Sequence, residues 1–431
     1  MNTPRNQSPH STVSRHDPYA AFRFPDYRLY IFGWWIAMVG SRIQSIAVAW
    51  EVYQRTGEAL SLGLVGLAQA LPTMILAIPA GYLADHYNRR TLMMLSLAGM
   101  MATSLTLAAL SFAHGPIWLI YILLFLDACV MMIGRPARVA LVPQLVPTEI
   151  FPNAVMWNTS LMQISAVLGP AIGGFVIAFN VPLAYILSAL GSLIFVALLW
   201  RLHFQPGAKR AGQASLQTLL AGIHFVRQTR IILVIISLDL FAVLLGGAVY
   251  LLPIYAEDVL QVGPLGFGWL RAAPAVGAAC MAILLVYLPP MRRAGRSLLL
   301  SVAGFGAATI IFGLSKSFWL SFAMLFLTGA FDNISMVIRQ TLQQLLTPDE
   351  MRGRVSAVTS VFISASNELG GLESGLVAHW FGPIFSVVSG GIGTLVVVGL
   401  TALVSPELGG VGALHETKPV ESAPAAVGGK A

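Results

Sequence analysis

Charge is scarce in this chain: of 431 residues only 10% are Asp, Glu, Lys or Arg, against 57% in the apolar AVILMFWYC set, and the mean hydropathy is +0.77. Soluble domains carry about 25% charged and about 45–50% apolar residues, so a water-soluble fold is excluded. Cysteine is scarcer still. Cys129 and Cys280 both sit in apolar runs, which excludes a disulfide framework and a cysteine-based metal site. A His-Glu-x-x-His helix, a paired-Asp catalytic motif and a Gly-Lys-Ser/Thr phosphate loop are also missing. These absences argue against an enzyme and against an ATP-driven pump carried on this chain; no metal and no cofactor is expected. The first twenty or so residues are polar, rich in Pro, Ser and Thr, and lack the apolar core of a signal peptide.

What is present is a succession of apolar runs from Ile31 to Val404. At roughly 20 residues per span they predict an all-α membrane protein with twelve transmembrane helices, at about 28–54, 60–84, 91–113, 116–142, 151–179, 182–202, 231–256, 264–288, 298–315, 318–345, 355–380 and 383–405. A β-barrel would instead show ten-residue alternation. The predicted organisation is a disordered tail (1–25), an N-terminal six-helix half (26–202), a linker with an interfacial helix (203–230), a C-terminal six-helix half (231–405) and a second disordered tail (406–431).

The net charge of +7 reads as loop charge rather than as a nucleic-acid footprint. Arg89, Arg90, Arg135, Arg138, Lys209, Arg210, Arg352 and Arg354 fall in alternate loops or at their edges, while the opposite loops hold only Arg55 and Lys316 as strong cations. Lys and Arg accumulate on the cytoplasmic side, so both termini are expected in the cytoplasm of a multi-pass inner-membrane protein.

The halves echo each other. Arg138-Val-Ala-Leu-Val-Pro-Gln-Leu-Val-Pro-Thr-Glu149 aligns with Arg339-Gln-Thr-Leu-Gln-Gln-Leu-Leu-Thr-Pro-Asp-Glu350 at an offset of 201. A parallel six-plus-six repeat is an architecture of secondary transporters.

Gly81-Tyr-Leu-Ala-Asp85-His-Tyr-Asn-Arg89-Arg90 resembles the signature between helices two and three of the major facilitator superfamily, with His86 where Arg is usual and Asn88 where Gly is usual. Ala49 to Gly57, Leu168-Gly169-Pro170-Ala171-Ile172-Gly173-Gly174 and Leu346 to Val355 are similar to its enterobactin-exporter and macrolide-efflux branch. The resemblance implies the major facilitator fold, with two pseudo-symmetric six-helix halves and a central cavity lined by helices one, four, seven and ten. It also implies a cytoplasmic gate formed by Gly81, Asp85, Arg89 and Arg90, in which Asn88 is a mild departure because Asn tolerates a left-handed turn. Gly169, Pro170, Gly173 and Gly174 resemble the core of the antiporter signature and are expected to serve helix packing.

A charge inside the hydrocarbon is costly and invites a functional reading. Arg42, Asp127, Asp239 and Asp332 fall within spans one, four, seven and ten, and Asn367 and Glu368 fall within span eleven. With Gln44, seven residues from Glu51 and on its helical face, these are the candidates for the substrate cavity and proton coupling; Asp127 and Asp332 rank first, Glu368 next. Arg138, Glu149, Arg339 and Glu350 are expected as charges at the inner ends of helices, the arginines reaching toward lipid phosphates. The expected partners are the bilayer, a small-molecule substrate and protons, with no nucleic acid, for a protein expected to be monomeric. The expected activity is secondary active, proton-coupled efflux of amphipathic small molecules, drug-like or siderophore-like. The alternatives are a nutrient importer of the same fold or a non-transporting sensor.

Overall fold

The computed structural model describes residues 17–202, 216–289, 291 and 293–410. Six helices form the first half: α1 (Pro25–Thr56), α2 (Ala59–His86), α3 (Arg89–Phe112), α4 (Ile117–Leu141), α5 (Phe151–Phe179) and α6 (Val181–Trp200). A linker helix, α7 (Leu216–Gln228), precedes the second half. That half comprises α8 (Arg230–Leu245) with its continuation α9 (Leu252–Ile254), then α10 (Gly263–Tyr287), α11 (Ala294–Leu314), α12 (Phe318–Leu346), α13 (Asp349–Phe381) and α14 (Pro383–Val404), followed by the short α15 (Pro406–Gly410). Among the described residues, eleven helical segments are long and apolar enough to cross a bilayer. The twelfth is α13, whose 33 residues suffice in length but carry more charge.

Local chemistry explains most of the boundaries. Pro25, Pro152, Pro182, Pro264 and Pro383 sit in the first turn of their helices, where a missing N–H leaves no bond unmade. Helix α13 begins six residues before the expected 355 because Pro348 halts α12, and Asp349 and Glu350 then favour the new N-terminus. Span seven is interrupted. Helix α8 stops at Gly246-Gly247 and continues as a tight 3-10 turn (Gly247–Leu251), α9 and a π-helical turn (Tyr255–Val259). A Cβ on Gly247 would lie 2.5 Å from the carbonyl oxygen of Gly370, so the close approach to α13 requires glycine there.

The internal repeat is visible in the packing. Contacts α1–α6, α2–α4, α3–α4, α3–α6 and α1–α5 in the first half have counterparts α8–α14, α10–α12, α11–α12, α11–α14 and α8–α13 in the second. The halves meet mainly through two crossings, α5–α10 and α2–α13, and the repeat makes these the same crossing. In one, Gly174 lies against Gly268; in the other, Gly375 lies against Gly63. A Cβ on Gly174 would come within 2.6 Å of the Gly268 Cα, so only the bare backbone allows this approach.

The core is divided unequally. Toward the end opposite the termini, called distal here, one hydrophobic cluster draws on both halves, from Ile46, Trp50 and Leu62 to Tyr255, Phe267 and Ala378. Toward the terminal end the clusters are separate: two lie within the first half, a large one around Tyr30, Leu141 and Phe195 and a small one around Leu92 and Ala137, and one lies within the second half around Ile235, Leu298 and Ile338. The halves are thus packed together distally and parted at the terminal end.

Residues expected in the tails partly fold onto the body where they are described. Ala21 is fully buried, with its N–H donating to Asn153 (3.0 Å), and the Trp157 indole donates to the Pro18 carbonyl. Leu408 is buried and Glu407 pairs with Arg230 at 3.3 Å. The apolar side chains Phe22 and Leu408 supply the contacts that a polar tail lacks. The remainder of both expected tails, and 203–215 of the linker, lie outside the described residues. Helix α7 packs on α13 and α8.

Candidate functional site

The expected cavity residues separate into three groups. In the second half a cavity of about 190 Å³ opens between α8, α10, α11, α12 and α13. Its polar lining includes Asp239, Asp332, Ser335, Arg339 and Asn367. Arg339 binds both carboxylates: one guanidinium nitrogen lies 2.5 Å from Asp239, the other 3.7 Å from Asp332, and a further donation reaches the Ser335 hydroxyl at 2.9 Å. The two acids are not equivalent, since the Asp239 side chain is 7% exposed and that of Asp332 53% exposed. Arg339 therefore bridges a buried carboxylate and one facing the cavity. It is a cavity residue here, not the lipid-phosphate anchor expected from sequence, because two acids meet it inside the bundle. Asn367 faces the same space while donating to the Ile363 carbonyl of its own helix.

The second group lies deeper, just on the terminal side of the glycine crossings. Glu368 of α13 accepts a hydrogen bond from the Tyr250 hydroxyl (3.1 Å), and Tyr250 is brought there by the break in span seven. Arg42 of α1 is exposed within the cleft between the halves, its stem against Gly169 of α5, where a Cβ would come within 2.3 Å. A residue not singled out from sequence joins them: Arg271 of α10 lies within electrostatic reach of Glu368, Tyr250 and Arg42. The signal was available, a lone arginine inside an apolar run, but α10 belongs to a span not expected to line the cavity.

The third group lies off the cavity. Gln44 is buried and accepts the Ser104 hydroxyl of α3 (2.6 Å), with Ser188 of α6 at 3.4 Å from Ser104. Gln44 thus joins helices within the first half, a correction to its place in the cavity. Glu51, on the same face, is likewise buried, accepting the Tyr185 hydroxyl of α6 at 2.7 Å and pairing with Arg55 at 3.1 Å. Asp127 accepts the Thr103 hydroxyl of α3 at 2.6 Å and so turns toward a peripheral helix. The 201-residue offset places Thr328, not Asp332, opposite Asp127.

The distal end is closed by specific contacts between the halves. The Tyr53 hydroxyl donates to Asp258, and the Trp50 and Phe267 rings stack with centroids 5.6 Å apart. Gly169 and Gly173 receive Arg42 and Ile46 of α1, Gly174 receives α10, and Pro170 is buried within α5. These four serve helix packing.

At the terminal end the signature residues make contacts within the first half. Arg89 donates to the Ala140 carbonyl at the end of α4 (3.2 Å) and Arg90 to the Trp200 carbonyl at the end of α6 (2.7 Å). Gly81 is half-buried in α2; the Asp85 side chain lies outside the described residues. Asn88 takes an ordinary φ of −64° and caps α3, its side-chain oxygen accepting from the Arg90 and Thr91 amides. The left-handed turn that Asn88 would tolerate is not used; its side chain caps the helix instead, a role glycine's missing side chain cannot fill. Arg138 rests its guanidinium over the Trp34 ring (5.5 Å) instead of reaching outward. Glu149 and Glu350 are exposed at the terminal end.

Comparison with known proteins agrees with this architecture. Curated relatives include the enterobactin exporter EntS of Shigella boydii and that of Escherichia coli, each 27% identical over 391 residues, 89% of this chain and 92% of theirs. Among solved structures, a bacterial homolog of the human lysosomal transporter Spinster, in an inward-facing and occupied conformation, superposes with a TM-score of 0.70 at 13% identity, covering 91% of this chain and 98% of that one. A peptide transporter of the POT type gives 0.71 at 13% identity, with 89% and 94% covered. The profile of the transmembrane secretion effectors matches residues 16–414. With nearly the whole chain matched, this secondary transporter of the major facilitator fold belongs to the transmembrane secretion effector family.

Proposed function

We propose that this protein exports amphipathic, siderophore-like small molecules across the inner membrane, from the cytoplasm outward, in exchange for protons. The observation that carries the reading is the unequal division of the core: the halves share one cluster distally and hold separate clusters at the terminal end. The arginine-rich loops lie at the terminal end, so on the positive-inside rule that end is cytoplasmic and the conformation is inward-open, ready to load cargo from inside. The exporters among its relatives support the direction, and a monomer contains the complete cleft.

In this reading Arg339 is the coupling switch. With both acids charged, the guanidinium is shared between Asp239 and Asp332. A proton arriving on Asp332, the acid that faces the cavity, removes one of its partners and draws Arg339 wholly to Asp239. Helices α8 and α12 bear these groups, so the proton changes how the two pack. Asp332 is the proton carrier and Asp239 holds the arginine; Asp127, turned to α3, stands outside the exchange.

Everted membrane vesicles test this. With enterobactin as cargo, an inward-acid proton gradient should drive accumulation that an uncoupler abolishes. Equal accumulation with and without the gradient would overturn proton coupling, and gradient-driven loss of preloaded cargo would favour an importer.

A further inference from the structure

Three helices bring two cationic groups and one anionic group to one level of the cleft, and the charges there do not balance. The glycine crossings serve as a depth marker. At 1.5 Å of rise per residue, Gly169, which packs on Arg42, lies about 7 Å from Gly174 toward the terminal end. Arg271 lies about 4–5 Å past Gly268 in the same direction, and Glu368 about 10 Å from Gly375. Because Gly174 touches Gly268 and Gly375 occupies the repeat-equivalent crossing, Arg42, Arg271 and Glu368 occupy one layer at the floor of the cleft. Glu368 and the Tyr250 hydroxyl are within electrostatic reach of Arg271. Among the described residues, neither Arg42 nor Arg271 takes part in an ion pair. Glu373, the next acid on α13, lies further from the terminal end and is hydrogen-bonded by Ser374. One carboxylate thus faces two guanidiniums.

A cation at membrane depth is costly without a partner, and guanidinium groups bind planar oxyanions through paired donors. We propose that Arg42 and Arg271 form the binding site for an anionic group of the cargo, a carboxylate, sulfonate or phenolate. This rests on the chain being a transporter whose cargo enters the cleft, and not on the direction of transport. Arg42 belongs to the first half and Arg271 to the second, so an anion between them ties the halves together at the floor of the cleft. Glu368, itself hydrogen-bonded by Tyr250, offsets part of this positive charge when no cargo is bound. The apolar walls of the cleft accept the rest of the molecule.

A matched pair of amphipathic probes tests the site: 8-anilinonaphthalene-1-sulfonate and N-phenyl-1-naphthylamine, which share an aryl skeleton and differ in the sulfonate. Equilibrium fluorescence binding to nanodisc-reconstituted protein, corrected with empty nanodiscs, needs neither a gradient nor a transport direction, so an importer would give the same result. The wild type should bind the sulfonate about tenfold more tightly than the neutral probe, with a preference that shrinks as NaCl rises. Arg42→Gln and Arg271→Gln should each remove most of that preference and leave the neutral probe within about twofold, while Arg42→Lys and Arg271→Lys should keep part of it. A wild type without the preference, or one whose preference ignores salt, overturns the proposal even if the glutamine variants fail to fold. So does a preference that survives in both glutamine variants, or equal loss of both probes in folded variants.

Discussion

Asp239 and Asp332 share one arginine at different exposure, and the proposed coupling assigns them different work. Asp332→Asn imitates a permanently protonated acid and leaves the Arg339–Asp239 contact intact. Uphill, gradient-driven export should fall at least about tenfold, while downhill exchange stays within about twofold, read by flux into proteoliposomes with and without a proton gradient. Asp239→Asn strips Arg339 of its near partner inside the bundle, and an uncompensated buried charge is strongly destabilising. Its melting temperature should drop and every transport mode should fall together, whereas the exchange Asp239→Arg with Arg339→Asp should recover part of the stability. The charged residues of this site were legible because charge in an apolar run stands out. The face each one presents was not. Gln44 and Glu51 do share a helical face, but that face meets α3 and α6 inside the first half, and nothing in the sequence says which neighbour a face will meet. Arg271 carries the same signal as Arg42, a lone cation in an apolar run, but it lies on span eight, which the resemblance does not place on the cavity.

The helices about which the proposed rocking turns meet through glycine backbone rather than bulky side chains. At the α5–α10 crossing, Gly174→Val would place side-chain carbon where the Gly268 backbone now lies. The distal end should loosen and transport should fall at least about tenfold. A single cysteine at Leu265, on α10 near this crossing, should then react faster with an impermeant thiol reagent, in a background lacking Cys129 and Cys280. Unchanged reactivity and flux would mean that the crossing is not a gate. Most of the spans and helix ends were legible from run length and from proline at the first turn. The interruption of span seven was not, because Gly246-Gly247 sits in an otherwise unbroken apolar stretch and only the approach of α13 turns that permissive pair into a break.

Orientation and conformation belong to the whole chain. Single cysteines at Glu58, Glu257 and Lys316, all exposed at the distal end, should react with an impermeant thiol reagent on intact cells, while those at Tyr87 and Thr148, exposed at the terminal end, should need permeabilisation. Ala294, despite its place beside a basic loop, is fully buried and would be a poor reporter. The six-plus-six repeat was legible from the 201-residue offset, and the packing of the two halves carries it throughout. Which end is parted could not be read from the chain, since the same sequence must support both arrangements and the difference between them is a choice of contacts. The central claim is that the halves rock about the glycine crossings to open one end as the other closes. Spin-label distances test it most directly, with one pair at Glu149 and Glu350 at the terminal end and another at Glu58 and Lys316 at the distal end. Adding enterobactin at alkaline pH should shorten the first distance and lengthen the second in the same population; two distributions that stay fixed, or that shift independently of each other, would contradict the account.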